Sequence, residues 1–232
     1  MTVPPREIPC PDTLELDDHF FVYRFSADDS TAGVRYTANV VRVAERSQLS
    51  VDEYLAWERQ QLTRHEYFGG EVYAMAGGSP RHNHLCSKLS TALEIAHASL
   101  ACRVFTSDQR VRARDRRYVY PDLSVACGTP TFELDDVMTN PTMIVEVLSG
   151  STEQYDRGLK WDSYQLLASL TDYILVSQDR ARIEHFGRAP NSKWVYSAAN
   201  SAEQITLTNG VELDVDAIFA GVFDLPSDRA EG

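Results

Sequence analysis

The sequence predicts a mixed α/β (α+β) domain in which a helix, three strands, a second helix and a fourth strand follow one another. Apolar residues recur at helical spacing from about 81 to 99, which indicates a core helix. A continuous apolar run from Tyr173 is typical of a strand buried on both faces, and the strand-like run at 142–148 precedes it. With 43% hydrophobic and 24% charged residues among 232, the chain has the composition of a globular domain with a sizeable core.

The elements before the core are predicted from local signals. Ser50 and Glu53 have the spacing of a capping box, so a short helix begins there and ends near Leu62. Gly69-Gly70 separates two strand-like runs and predicts a hairpin, because glycine readily adopts the positive φ angles of a two-residue turn. The core helix at 81–99 has these apolar residues on one face: Leu85, Leu89, Leu93, Ala96 and Leu100.

The central sheet is predicted from strands at 103–113, 118–126 and 142–148, a second helix at 151–169 and the strand at Tyr173. Four short strands then extend the fold toward the C-terminus, at 182–186, 194–197, 204–208 and 211–215. Asn209-Gly210 is a good turn between the last two, and a turn of helix closes the domain at 216–220. The expected architecture is a mixed central sheet flanked by helices.

We expect three regions: an N-terminal extension at 1–48, the domain at 49–225 and a tail at 226–232. The N-terminus has no apolar signal core, and no stretch approaches the roughly 18 apolar residues of a membrane span, so we expect a cytoplasmic protein without membrane contact. Four irregularly spaced cysteines, Cys10, Cys86, Cys102 and Cys127, predict four reduced thiols.

Charge gives two opposing indications about a polyanionic partner. The formal net charge of −12 argues against tight nonspecific binding to nucleic acid. A local basic patch nevertheless lies just before the strand at 118–126, and its members are Arg103, Arg110, Arg112, Arg114, Arg116 and Arg117. Charged residues on an edge hairpin, which prevent aggregation, explain this patch equally well.

Two carboxylates lie in apolar, strand-like runs. Asp122 occurs in Tyr120-Pro-Asp-Leu-Ser-Val-Ala and Glu146 in Met143-Ile-Val-Glu-Val-Leu. An unpaired buried carboxylate costs several kcal/mol, so it binds a cation or takes up a proton. Two carboxylates on successive strands favour a cation, and a hard ion such as Mg²⁺ or Mn²⁺ fits oxygen ligands that include the main-chain carbonyl of Val147. Such a centre is suited to phosphodiester hydrolysis.

Lys160 is the third candidate for this centre. Asp156, Lys160 and Tyr164 lie at i, i+4 and i+8, on one face of the predicted second helix. Only three of the 22 basic residues are lysines, which makes Lys160 an unusual choice in this chain. The alternative is a solvated surface pair with Asp156, worth a few tenths of a kcal/mol.

The motifs of the chain resemble the Uma family of restriction-endonuclease-like proteins. The resemblance spans roughly 50–220 and rests on these runs, in the family's order: Arg64-His-Glu-Tyr-Phe-Gly-Gly-Glu-Val-Tyr-Ala-Met-Ala-Gly-Gly-Ser-Pro-Arg-His82, Tyr120-Pro-Asp-Leu-Ser-Val, Ile144-Val-Glu-Val-Leu-Ser, and Tyr155-Asp-Arg-Gly-Leu-Lys160 with Tyr164. It implies the restriction-endonuclease-like fold of the PD-(D/E)XK nucleases, with Asp122 and Glu146 as metal ligands. Leu148 stands where the commonest motif has lysine, so Lys160 would supply the amine from the next helix.

Glu66 and His82 match further positions of the family. The resemblance implies that Glu66 is an outer ligand or orients water, and that His82 contacts phosphate or transfers a proton. The alternatives are a hairpin surface residue for Glu66 and, for His82, a hydrogen bond to backbone at the helix start. A zinc site is disfavoured, because His82, His84 and Cys86 stand at alternate positions, which a helix points in different directions.

These observations lead to one leading functional hypothesis and two rivals. The leading one is a Mg²⁺- or Mn²⁺-dependent DNA endonuclease, and cutting both strands of a duplex makes a homodimer the expected assembly. The first rival is a noncatalytic scaffold or partner-binding protein on the same fold, which the acidic charge favours. The second is a phosphoesterase acting on a small nucleotide in a closed pocket.

Overall fold

The computed structural model describes residues 42–43, 48–75, 77–150 and 152–227, and these belong to one compact unit, Arg35–Gly232. The predicted extension at 1–48 and tail at 226–232 lie almost entirely outside the described residues, so the predicted domain limits stay predictions. None of the helices in the described ranges has the length and apolar character needed to cross a bilayer.

Strands of the described residues form three sheets. In spatial order, the first sheet contains β1 (Arg42–Val43), β3 (Glu71–Ala74), β2 (His65–Phe68), β6 (Arg117–Val119), β5 (Arg110–Arg114), β9 (Val137–Met138) and β8 (Phe132–Glu133). In the same sense, the second contains β13 (Trp194–Asn200), β12 (Arg182–Arg188), β11 (Asp172–Ser177), β10 (Met143–Leu148), β7 (Leu123–Cys127) and β4 (Cys102–Thr106). The third is the hairpin of β14 (Gln204–Thr206) and β15 (Glu212–Asp214). The second sheet is mixed, because β10 and β11 are parallel and its other pairs are antiparallel.

The helical elements are α1 (Val51–Glu58), α2 (Pro80–Ala96), α3 (Glu153–Tyr155), a π-helical turn (Asp156–Lys160), α4 (Trp161–Tyr164), α5 (Val215–Phe219) and a 3₁₀ turn (Val222–Asp224). The capping box at Ser50 is confirmed, since its side chain accepts from the Glu53 amide and Glu53 accepts from the Ser50 amide. The Gly69-Gly70 hairpin is also confirmed, with φ angles of 59° and 115°. Local signals therefore identified the start of α1 and the β2–β3 turn.

The second sheet is covered on both faces, and this arrangement decides which way Glu146 points. Leu85, Leu89 and Leu93 of α2 pack with Val145 of β10 on one side. Residues of β10 that alternate with Val145 pack with aromatic side chains of α4 and β11 on the other side, and they include Ile144. Because side chains alternate along a strand, Glu146 lies on the same side as Ile144.

Two segments that the sequence predicts to be one strand each are wrong, because each of them forms two strands. The segment at 103–113 is divided between β4 and β5, and the segment at 118–126 between β6 and β7, and in each case the two pieces belong to different sheets. The first break is a turn in which the Gln109 amide donates to the Thr106 carbonyl at 3.0 Å. The second break falls at Pro121, which has no amide hydrogen for a ladder. Both breaks are places where the chain crosses from one sheet to the other.

The predicted limits of three helices need correction. The second helix, predicted at 151–169, ends at Tyr164 and contains a π-helical turn, and i→i+3 hydrogen bonds tighten the chain just after it. The first helix ends at Glu58 rather than near Leu62, which is fully exposed. The core helix ends at Ala96, so Leu100 lies outside it and is 42% exposed.

The expectation of four reduced thiols is wrong for one pair. Cys102 of β4 and Cys127 of β7 form a disulfide, with their Cα atoms 3.9 Å apart. The two residues are directly opposite in the antiparallel register of the strands, which brings the sulfur atoms together. Cys86 is a free thiol, and Cys10 lies outside the described residues.

We expect Cys127→Ala to lower the free energy of unfolding by about 3 kcal/mol under oxidising conditions, because the crosslink restricts the unfolded chain over the residues it encloses. Urea unfolding with and without reductant measures the effect. Cys86→Ala is the matched control, since it removes a thiol and no crosslink. Equal stability of wild type and Cys127→Ala without reductant would contradict the disulfide.

Candidate metal centre

Asp122 and Glu146 lie side by side where two strands of the second sheet separate. The antiparallel register of β7 and β10 ends at Leu123 and Val145, so the next residues are Asp122 and Glu146. Beyond this point the Asp122 side chain replaces a backbone carbonyl as hydrogen-bond acceptor, because its Oδ2 accepts the Val147 amide hydrogen at 2.7 Å. The carboxylates predicted to converge are therefore neighbours in the structure.

Lys160 is buried among carboxylates. Its Nζ lies 3.1 Å from Glu146 Oε1, 3.1 Å from Asp156 Oδ1 and 3.4 Å from Glu66 Oε1. The exposed fraction of the Lys160 side chain is only 6%, so the alternative of a solvated surface pair with Asp156 is wrong. The π-helical turn places Asp156 and Lys160 on the buried side, and such turns often occur at functional sites.

Glu66 enters the same cluster from the first sheet. One carboxylate oxygen, Oε1, accepts the Tyr120 amide at 3.2 Å and faces Lys160, whereas Oε2 accepts the Tyr155 hydroxyl at 2.8 Å. The alternative that Glu66 is a hairpin surface residue is wrong, because Glu66 is only 5% exposed. Tyr164 adds a hydroxyl that donates to Glu146 Oε1 at 3.0 Å.

His82 reaches the cluster from the first turn of α2. Its Nε2 lies 3.3 Å from Asp122 Oδ2, and its Nδ1 lies 3.7 Å from the Cys86 sulfur. The His82 side chain therefore contacts Asp122, while the His82 backbone amide takes part in the helix cap by donating to Ser79 Oγ. A Cβ atom at Gly78 would lie 2.5 Å from His82 Nδ1, so only glycine at this position leaves room for the ring.

The two central carboxyl groups have pKa values displaced in opposite directions. Burial raises the pKa of Glu146 well above its ordinary value, and the charges of Asp156 and Asp122 raise it further against the opposing effect of Lys160. Burial also acts to raise the pKa of Asp122, but the hydrogen bond and charge of His82 and the Val147 amide outweigh it and lower that pKa. In the metal-free protein, Asp122 is the ionised partner and Glu146 is the one that holds a proton more readily.

The cationic side chains keep their protons strongly. Burial acts to lower the pKa of Lys160, yet the charges of Asp156, Glu146 and Glu66 raise it well above its ordinary value. Burial opposes protonation of His82 in the same way, but its hydrogen bonds to Asp122 and Cys86 raise its pKa to about 11. Both side chains are therefore positively charged at neutral pH.

Two open cavities flank this centre. One, of about 310 Å³, is lined by Asp122, Cys86 and several hydroxyl side chains: Ser87, Ser90, Thr91, Thr106 and Ser107. The other, of about 550 Å³, is lined by aromatic side chains (Phe68 and Tyr73), three arginines (Arg114, Arg116 and Arg117) and two acidic residues (Glu71 and Asp115). Phe68 packs on Tyr155 with ring centroids 5.3 Å apart, so the second cavity adjoins the residues that hold Glu66.

The predicted basic patch is smaller than the sequence indicates. Arg110 is buried and donates to the Tyr120 hydroxyl at 2.8 and 2.6 Å, which leaves it no role at the surface. Arg112 forms an ion pair with Glu133 at 2.8 Å. Three arginines remain together at one cavity, and these are Arg114, Arg116 and Arg117.

Sequence reasoning named the five side chains at the centre and placed Tyr164 on the helical face of Lys160, but it missed two residues that contact them. One is Tyr155, although it lies in the motif that includes Lys160. Cys86 was set aside with His84, because only alternate positions were compared. The i, i+4 spacing of His82 and Cys86 was the signal that could have found it, since that spacing places both on one helical face.

Residues 51–219 match the family model Uma2, which is described as "Putative restriction endonuclease". The chain belongs to the Uma2 family. Two relatives from Synechocystis sp. are named uncharacterized proteins slr1290 and sll1609. The first is 35% identical over 177 residues, covering 75% of this chain and 93% of the relative, and the second is 34% identical over 156 residues, covering 66% and 88%.

A solved structure shows the same fold as this Uma2 chain. It is described as a putative nuclease belonging to DUF820 from Anabaena variabilis. It superposes with a TM-score of 0.63 at 14% identity and covers 75% of this chain and 99% of that one. The predicted restriction-endonuclease-like fold class is thereby confirmed, together with the family resemblance.

We expect Lys160→Met to destabilise the metal-free protein by about 3–5 kcal/mol, because it leaves buried carboxylates without their shared cation. Urea unfolding in the presence of a chelator measures this loss. Lys193→Met, at an exposed lysine, is the matched control and is expected to change stability by about 0.5 kcal/mol at most. A Lys160→Met loss as small as that of the control would contradict the buried network.

We expect Glu146→Gln to remove part of the pH dependence of the unfolding free energy of the metal-free protein. Because the pKa of Glu146 is higher in the folded state than in the unfolded chain, its contribution to stability is complete below about pH 4.5 and is lost as pH rises through the folded-state pKa. Wild type is therefore expected to lose stability relative to Glu146→Gln as pH rises above 4.5. Chelator-treated samples unfolded in urea across this range test it, with exposed Glu94→Gln as control, and a pH-independent difference would contradict the raised pKa.

Proposed function

We propose that this protein is a divalent-metal-dependent endonuclease that hydrolyses phosphodiester bonds of DNA. One observation carries the proposal: four carboxyl groups, those of Glu66, Asp122, Glu146 and Asp156, surround one lysine and one histidine. This excess of negative charge in a buried cluster calls for a further cation. Membership in the Uma2 family supports a nuclease as the reaction class.

The residues fit a hard divalent ion such as Mg²⁺ or Mn²⁺. Carboxylate oxygens from Asp122 and Glu146 and the main-chain carbonyl of Val147 are the oxygen donors that such ions prefer. The raised pKa of Glu146 means that this carboxyl group holds a proton readily in the absence of an ion, and an ion would take the place of that proton. An ion held there supplies polarisation of the phosphate and activation of water.

Lys160 and its neighbours have distinct roles in this proposal. Lys160 keeps its charge, and its Nζ lies beside the Glu146 carboxylate that would bind the metal ion. It can therefore position water or stabilise negative charge on the phosphate. Glu66 contacts Lys160 from the first sheet, and Tyr155 of α3 holds Glu66 through its hydroxyl. His82 holds Asp122 and keeps a proton next to it, which makes it the candidate for phosphate contact or proton transfer.

The surface near the centre supports DNA as the substrate. The cavity with Arg114, Arg116 and Arg117 adjoins Phe68 and Tyr73, and guanidinium groups beside aromatic rings suit a phosphodiester backbone and its bases. Both flanking cavities are open, which a polymeric substrate requires and a small nucleotide does not. A homodimer would bring two centres to the two strands of a duplex.

A noncatalytic protein on the same fold is the second candidate, and the net charge of −12 favours it. A nuclease acting on bulk DNA gains from positive potential, which this chain offers only locally. The buried network alone does not distinguish a working centre from one that only stabilises the fold. Metal binding and cleavage decide between the two.

We expect Asp122→Asn and Glu146→Gln each to abolish calorimetric binding of Mg²⁺ and Mn²⁺ and to reduce cleavage of supercoiled DNA by at least about 100-fold, because each removes an anionic ligand. The matched control is Glu94→Gln, which changes an exposed carboxylate on α2 and is expected to bind and cleave like wild type. Circular dichroism confirms that each variant is folded before it is scored.

If Asp122→Asn and Glu146→Gln both cleave DNA at the wild-type rate, the catalytic centre lies elsewhere. A folded wild type that neither binds the ions nor cuts supercoiled or linear DNA would favour the noncatalytic candidate.

A further inference from the structure

We propose that His82, Cys86 and Asp122 form a second, distinct metal site that takes a borderline-soft transition ion such as Zn²⁺. One ligand atom from each residue can be chosen so that all three lie within 4.8 Å of one another. The sequence alone disfavoured zinc because it grouped His82 with His84, whereas the structure groups it with Cys86.

The three side chains already surround one point before any ion is present. His82 and Cys86 are one helical turn apart on α2, with Nδ1 and Sγ 3.7 Å apart, and the other ring nitrogen, Nε2, lies 3.3 Å from Asp122 Oδ2. One ion binds only one ring nitrogen, and the three ligand atoms that it would bind lie within 4.8 Å of one another. A tetrahedral zinc ion with bonds of about 2.0 Å to nitrogen or oxygen and about 2.3 Å to sulfur needs ligand separations of about 3.3–3.5 Å. Side-chain rotations must therefore bring the ligands closer together, while the helix holds two of the three in register.

The surroundings allow an ion to enter and to complete its coordination. Cys86 and Asp122 both line the open cavity of about 310 Å³, so the site is accessible and has space for a water molecule as fourth ligand. The hydroxyl side chains of that cavity, such as Ser90, can accept or donate hydrogen bonds to this water. Binding replaces the hydrogen bond between His82 and Asp122 and releases two protons to solvent, one from the His82 ring and one from the Cys86 thiol.

The donor set distinguishes this site from the centre built on Glu146. Thiolate and imidazole ligands favour Zn²⁺ and related ions, while carboxylate and carbonyl oxygens favour Mg²⁺ and Mn²⁺. Asp122 is common to both sets, so it cannot serve both ions in the same way. An ion at the His82 site is therefore expected to withdraw Asp122 from the hard-ion centre and to inhibit cleavage. This inhibition rests on the proposed function, whereas binding at the site does not.

The test of binding uses Co²⁺ and Zn²⁺ as probes on the full chain. Co²⁺ is expected to give a thiolate-to-metal charge-transfer absorption with wild type that Cys86→Ser lacks, and Zn²⁺ affinity by calorimetry is expected to fall at least about tenfold in Cys86→Ser. Cys10→Ser is the matched control, because it removes a thiol that is not among the proposed ligands and is expected to keep both signals. Glu146→Gln is expected to keep the Co²⁺ band and to lose Mg²⁺ binding.

The test of inhibition measures Mg²⁺-dependent DNA cleavage with increasing Zn²⁺. With each protein measured against its own rate without Zn²⁺, Cys86→Ser is expected to need at least about tenfold more Zn²⁺ than wild type for half-inhibition. Equal Zn²⁺ affinity of wild type and Cys86→Ser, or a Co²⁺ complex without a thiolate band, would overturn the site. If Zn²⁺ binds through Cys86 and cleavage continues unchanged, the sharing of Asp122 is wrong. If no cleavage occurs at all, the Co²⁺ band still decides the site, and only the proposed nuclease fails.

Discussion

The burial of one ammonium group among carboxylates is the interaction on which the rest of this centre depends. Lys160 Nζ contacts Glu146, Asp156 and Glu66, which come from a strand of the second sheet, the π-helical turn and a strand of the first sheet. A cation in this position offsets the repulsion of groups that would otherwise be costly to bury together. The same contact connects the two sheets, so the chemistry of the centre and the packing of the fold are not separable.

The route of the chain between the sheets explains why the centre forms there. The chain leaves the second sheet after β4, passes through β5 and β6 in the first sheet, and returns at Pro121 to begin β7. Asp122 is the first residue after that return. No strand carbonyl accepts the Val147 amide hydrogen at this point, so the Asp122 carboxylate accepts it instead. Glu66 reaches the same point because the Tyr120 amide is free to bind it. Backbone groups released by the crossing thus hold two of the carboxylates.

Local sequence signals predicted much of this structure, but they did not predict the features that depend on contacts between distant parts of the chain. The cap at Ser50, the glycine turn at 69–70 and the buried strand with Glu146 follow from short patterns that a few residues decide. The division of two predicted strands between different sheets, the Cys102–Cys127 crosslink and the inward side of Arg110 depend on which strands become neighbours. A sequence pattern records the period of an element but not its partner, so none of these followed from spacing. Asp122 and Glu146 were predictable because a charge in an apolar run is itself unusual, whereas Lys160 was a candidate through its helical face, the rarity of lysine in this chain and the family resemblance.

The separation of the two carboxyl pKa values shows how one cluster can present different ligands to different ions. Asp122 is kept ionised by His82 and the Val147 amide, so it is ready for any cation, and it lies between the Glu146 centre and the thiol of Cys86. Glu146 has the opposite character, because it holds its proton until a cation displaces it. An ion that prefers oxygen gains from displacing that proton, while an ion that prefers sulfur and nitrogen gains from Cys86 and His82. If both proposed sites bind ions, the position of Asp122 between these two donor sets makes the choice of ion a competition for a single carboxylate.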